Sequence, residues 1–183
     1  SIVAKLRKNN LEKYLRQFAK NIIRRGKQIL KAKGKEGKLS NSLNYRLEAT
    51  NNGYNLVFKG ADYAAFVDKG VSGTKTTRTF HNIDGKRKRS PFRYKAGVGN
   101  SPNIGALEKW ISRKGIKGRD KETGRFIKTK SLAMLFSKSI QRKGLAATSF
   151  FSKPMSIELA KLDTELLNNF KADIITHFET IEL

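Results

Sequence analysis

Four consecutive cations, Lys86, Arg87, Lys88 and Arg89, with Arg93 close behind, are the residues of this 183-residue chain best suited to chemistry with an anion. Phe80, Phe92 and Tyr94 interleave aromatic rings with those charges. That mixture fits contact with nucleic acid, where cations neutralise phosphates, and equally fits docking on a neighbouring subunit or a solvated tip. Bond-breaking chemistry has thinner support, because the chain has two histidines and no cysteine. His81 with Asp84, or Asp62 with Asp68, could ligate a hard cation for phosphodiester cleavage. Asp62 is read more simply as a helix cap and Asp84 as a turn residue, and His177 stands in the acidic C-terminal stretch without a motif. No phosphate-binding Gly-x-x-x-x-Gly-Lys-Ser/Thr loop occurs, and Gly97-Val98-Gly99 is too short to replace it. The chain is therefore expected to be no enzyme and to carry no cofactor or metal.

The elements that must position these residues read as a single α+β domain. Residues 1–36 form a long amphipathic helix: Leu11, Leu15, Phe18, Ile22 and Ile29 recur at helical spacing, and Tyr14, Ile23 and Leu30 broaden the stripe. Asn9 or Asn10 is the expected cap, Gly26 weakens the middle, and Gly34 with Gly37 ends the helix. Its other face carries Arg24, Arg25, Lys27, Lys31, Lys33 and Lys35, a run open to reading as a solvated or an anion-binding surface. Residues 37–70 hold a β-hairpin and a short helix. Leu43, Tyr45, Leu47 and Ala49 alternate with polar residues, Asn51, Asn52 and Gly53 turn the chain, and Tyr54, Leu56 and Phe58 return antiparallel. Asp62 would cap a helix over residues 63–69 in which Tyr63, Phe66 and Val67 face the sheet.

Residues 71–103 read as a projecting basic arm, a second hairpin turning at Asp84-Gly85. Its strands, residues 76–83 and 86–94, would reach roughly 26 Å at about 3.3 Å per residue and complete the antiparallel sheet begun by the residue 43–60 hairpin. Residues 104–154 contain a helix at 104–114 with Trp110 as a core anchor, a Gly-rich basic loop, and a helix capped by Ser131 and stopped by Gly144. A long C-terminal helix over 155–183 is expected from Leu159, Leu162, Leu166, Phe170, Ile174, Phe178 and Ile181. The antiparallel sheet would pack against the two terminal helices.

The formal charge is +24, and it is unevenly placed. Residues 155–183 carry six acids against two lysines, a net −4, which leaves +28 on residues 1–154. Such a body implies an anionic partner or strong solubility. No apolar run approaches the roughly 20 residues a bilayer span needs, so no membrane association is expected. The absence of cysteine suits folding in a reducing compartment.

Three motifs in order carry a family resemblance: Gly37, Leu39 and Ser42; then Tyr63, Ala64, Val67 and Gly70, with Phe66 inside the turn; then Gly144 leading to Phe150, Phe151 and Pro154. The chain resembles the tail-completion or head-tail joining proteins of long-tailed bacteriophages, which usually carry Glu where Asp68 stands. The resemblance implies a virion structural protein, made in the host cytoplasm and located in the neck or tail. It would form a ring with copies of itself around the DNA channel and contact head-side connector and tail-side proteins. Packaged double-stranded DNA is a further candidate contact for Lys86, Arg87, Lys88, Arg89 and Arg93. The competing reading is a basic DNA-binding accessory protein acting through backbone charge.

Overall fold

The computed structural model describes residues 2–51, 53–97, 99–162 and 174–176. In chain order the elements are helix α1 (Ile2–Ala32), the short helix α2 (Lys38–Ser42), strands β1 (Asn44–Thr50) and β2 (Gly53–Lys59), helix α3 (Ala64–Lys69), and strands β3 (Val71–Ser72), β4 (Thr79–His81) and β5 (Arg87–Arg89). Helices α4 (Ile104–Lys114) and α5 (Thr129–Lys143), strand β6 (Gly144–Leu145), helix α6 (Ser152–Ala160) and strand β7 (Ile174–Thr176) follow. The class is mixed α+β, as the sequence indicates. No helix among the described residues is long and apolar enough to cross a membrane. Contacts gather into two compact units, one of Ser1–Lys69, Phe80–Lys88 and Thr148–Leu183, the other of Gly70–Thr79 and Arg89–Ala147.

In the first unit the amphipathic stripe of α1 does what its spacing requires. Leu15, Phe18, Ala19, Ile22 and Leu30 are buried, while Tyr14 at the margin of the stripe is exposed. The helix runs through Asn9 and Asn10 without starting there, so the expected cap is not used. It stops where glycine predicts: Gly34 N–H bonds to Lys31 O at 2.9 Å and Lys35 N–H to Leu30 O at 2.9 Å, the paired bonds of a Schellman end. Gly26 is a packing residue and not merely a weak point. A Cβ there would lie 2.8 Å from the Phe150 carbonyl oxygen. Gly26→Ala should thus cost about 1–3 kcal/mol by overpacking, although alanine is the better helix former by about 1 kcal/mol. Urea denaturation gives the sign directly, and a stabilised variant would show that α1 does not approach Phe150 this closely.

Strands β1 and β2 pair antiparallel, with Tyr45 opposite Phe58, Leu47 opposite Leu56 and Ala49 opposite Tyr54, as the alternation demands. The core beneath joins Phe18, Ile22 and Leu30 to Leu39, Leu43, Leu56, Phe58, Ala64, Phe150, Phe151 and Met155. Phe58 and Phe151 meet edge to face with centroids 5.1 Å apart. Helix α6 is tied to α1 through Glu158, which accepts from Lys161 Nζ at 2.9 Å and Asn21 Nδ2 at 3.3 Å and stands 3.4 Å from Arg25 Nε.

The C-terminal helix differs from expectation. It begins at Ser152 and closes at Ala160, where Lys161 and Leu162 N–H groups turn back to Glu158 and Leu159 oxygens in the tightened last turn of a helix. Ile174, Ile175 and Thr176, all β-branched and so strand-prone, form β7, parallel to β2. The remainder of the expected helix, residues 163–173 and 177–183, lies outside the described residues.

In the second unit α4 spans residues 104–114 as read. Asn103 Oδ1 accepts from Ala106 N–H at 2.9 Å, and Gly115 ends the helix in the left-handed conformation. Helix α5 begins at Thr129, two residues before the expected Ser131 cap. Ile111, Leu132 and Ala133 are buried between the two helices. Trp110 is not a buried anchor: it is 38% exposed, on the rim, edge to face with Phe136. The basic loop is a small hairpin with Arg119 bridged to Phe126, turned by Asp120, whose Oδ1 accepts from the Glu122 and Thr123 N–H groups.

The arm is the main correction. Strands β4 and β5 have three residues each and form their own two-stranded sheet, apart from β1 and β2. The rest of the expected ladder is taken by other partners. Ser72 N–H bonds to Phe92 O at 2.8 Å and Tyr94 N–H to Ser72 O at 2.9 Å, while β3 pairs with β6. Phe80 is buried at 5% exposure. An eight-residue strand needs a partner along its whole length, and here β3 competes for the base.

Candidate functional site

Two features bear on function: a buried joint between distant motif segments of the first unit, and an exposed cationic hairpin.

The joint starts from α3, whose buried positions are Ala64, Ala65 and Asp68. The face is rotated from expectation. Tyr63 is exposed, Phe66 is half-buried, and Ala64 and Val67 contact the core. The small Ala64 and Ala65 take the buried positions instead of the larger rings. Val67 O accepts from both the N–H and the hydroxyl of Thr148, at 3.0 and 2.8 Å, and Asp68 O accepts from Ser149 N–H at 2.9 Å. The Asp68 carboxylate then caps α6: Oδ1 accepts from Phe151 N–H at 2.8 Å and Ser152 N–H at 3.1 Å, and Oδ2 accepts from the Ser152 hydroxyl. Burial pushes the Asp68 carboxyl above its ordinary value, while hydrogen bonds from Ser152 and Phe151 and the Lys69 charge pull the other way.

Ser149 completes the joint. It holds a positive φ of 52°, unusual for a residue with a side chain, and its hydroxyl accepts from His81 N–H at 2.9 Å. This anchors the start of the β4–β5 hairpin. In the second unit Gly70 lies against the backbone of residues 145–147, where a Cβ would stand 2.7 Å from both Leu145 O and Ala147 N.

Beyond that anchor Lys86, Arg87, Lys88 and Arg89 are all exposed. Asp84 organises the tip, accepting from Lys86 N–H at 2.9 Å through Oδ1 and pairing with Lys88 Nζ at 2.9 Å through Oδ2. Hydrogen bonds from the Lys86 amide, the Lys88 ammonium and Asn82 hold Asp84 down at about 2. Lys88 is thereby neutralised, and Lys86, Arg87 and Arg89 have no acidic partner among the described residues. Arg93 belongs to the second unit, bridged to Ser72, with its Nε 3.4 Å from Gly73 O.

The sequence considered Asp62 with Asp68, or His81 with Asp84, as metal ligands, and the structure brings neither pair into such a cluster. Asp68 is spent on α6, Asp62 is exposed, and no group of three or more metal-ligating side chains occurs among the described residues. Sequence reasoning missed Ser149 and Ser152, for which no periodic signal exists. Comparisons with protein-family models, curated proteins and solved structures gave no match for this chain.

Proposed function

We propose that this protein is a virion structural component of a long-tailed bacteriophage, a ring-forming neck protein that completes the tail or joins head to tail around the DNA channel. The observation that carries this reading is the buried joint. The two segments bearing the later family motifs are 81 to 84 positions apart along the chain and meet through Val67, Asp68, Thr148 and Ser152. Motifs that recur together for a structural reason should meet in space in this way. In this role the protein performs no chemical turnover: it is made in the host cytoplasm and retained in the virion. Copies contact one another, head-side connector and tail-side proteins, and heterologous contacts close into a ring through complementary patches. The +28 body and the net −4 of residues 155–183 supply the required opposite charges. Mass spectrometry of purified virions, with imaging of the neck, tests the assignment. Absence from the particle, or a location away from the neck, removes it.

The exposed hairpin favours a second reading, a DNA-binding accessory protein. Each phosphate contact contributes about −0.9 to the slope of log affinity against log salt. With Lys88 held by Asp84, replacing Lys86, Arg87, Lys88 and Arg89 with Ser should flatten that slope by about two to three units, independently of DNA sequence. An unchanged slope in filter-binding titrations would assign the hairpin to protein contacts or to solvent.

A further inference from the structure

Alongside α1 lies a groove of about 800 Å³. One wall is a stripe of cations from α1, Lys20, Arg24, Lys27 and Lys31, at steps of four, three and four, which places them on a single helix face. The opposite wall comes from α2 and the start of β1. The floor is apolar, made by Ile23, Leu43 and Tyr45. Among the described residues none of the four cations has an acidic partner within 4.0 Å. Glu36 is the one acid in the lining.

We infer that this groove docks an acidic amphipathic helix of a partner protein. The cations run about 16 Å along α1, or roughly three helical turns at 1.5 Å per residue. A helix laid alongside presents side chains at the same spacing, so carboxylates on its flank can meet all four cations while its apolar stripe covers the floor. Charge complementarity selects the acidic partner. The floor then favours a polypeptide over a nucleic acid, because the aliphatic Ile23 and Leu43 offer nothing to a phosphodiester strand and Glu36 repels it. The inference does not depend on the neck assignment, since it rests on the groove's walls and floor alone.

Fluorescence anisotropy on the full-length protein tests it. The probe is a labelled helical peptide of about 14 residues, with leucines three and four apart on one face and glutamates flanking them. Saturable binding is expected, weakened at least about tenfold when glutamine replaces the glutamates or when Lys20, Arg24, Lys27 and Lys31 are all changed to Glu. If that variant fails to fold, the four Gln substitutions are read in the same way. A control reversal of Lys117, Arg119, Lys121 and Arg125 in the second unit should leave affinity within about twofold. Absence of saturable binding, equal binding by the groove variants, or equal loss in the control overturns the inference. So does a DNA duplex that binds more tightly than the peptide and is lost in the same groove variant, since that would make the groove a nucleic-acid site.

Discussion

Asp68→Ala should cost about 3 kcal/mol or more of folding stability, because it strands three donors at once, each costing about 1–3 kcal/mol when buried and unpaired. These are the Phe151 and Ser152 N–H groups and the Ser152 hydroxyl, all at the buried start of α6. Asp68→Asn should cost under about 1 kcal/mol, since its Oδ1 still accepts and its Nδ2 can donate to the Ser152 hydroxyl oxygen. The pair also separates charge from capping. Because burial raises the Asp68 carboxyl, the folded chain holds that proton more tightly than the unfolded chain. Stability from this site is thus fully present below the ordinary carboxylate value of about 4, and it is lost as pH rises through the raised folded value. Wild type should therefore lose ground to Asp68→Asn as pH climbs from about 4. Glu158 runs in the opposite sense. Burial raises its carboxyl, but hydrogen bonds from Lys161 and Asn21 and the charges of Lys161 and Arg25 outweigh that and leave it lowered. Its contribution is present above about 4 and is lost as pH falls through the folded value. Urea titrations of the three proteins across pH measure the Asp68 effect. A loss below about 1 kcal/mol in Asp68→Ala would mean that α6 does not depend on this cap.

Gly144→Ala should be comparably severe in the second unit, at about 4 kcal/mol or with loss of cooperative unfolding there. Gly144 has φ 70° and ψ −170°, a conformation essentially restricted to glycine. A Cβ would stand 2.0 Å from Val71 O and 2.8 Å from the Ser72 carbonyl carbon, both backbone atoms of the paired strand. Neither can rotate away, so relief requires opening the β3–β6 pair. The adjacent Leu145 is 38% exposed, and Leu145→Ala should stay within about 0.5 kcal/mol. Hydrogen exchange at residues 71–73 should rise steeply in the glycine variant and little in its neighbour. Equal, small effects would place the β3–β6 contact outside the unit's cooperative structure.

The parts legible in the sequence were those governed by local rules. The β1–β2 hairpin follows from strict alternation around Asn51 and Gly53, and α4 from its start after Pro102 and its close at Gly115. The burial of Leu15, Phe18 and Ile22 follows from their spacing. What was misread was decided by distant partners. Nothing near Ser72 signals that its backbone bonds to both Phe92 and Tyr94, so residues 86–94 looked free to extend an arm. Asp68 was read as a candidate metal ligand, with its capping role hidden, because the helix it caps begins 84 positions later. On α3, the rings of Tyr63 and Phe66 drew attention from the small residues that are buried. Of the candidate site, the exposure of the Lys86 to Arg89 run was readable from composition alone. The anchoring of its hairpin through Phe80 and Ser149 was not.

The order in which the two units are distributed along the chain has a consequence for biosynthesis. The first is assembled from three separated stretches and the second lies between them, ending at Ala147. As domains tend to fold as units while the ribosome extends the chain, every residue of the second unit is made before Phe150, Phe151 and Met155 exist to complete the first. Throughout that interval the α1 stripe of the nascent polypeptide lacks three of its core partners. A chain stopped at residue 147 would therefore expose Phe18, Ile22 and Leu30 as a sticky surface, and premature termination should yield aggregates from which a folded second unit can still be released by proteolysis.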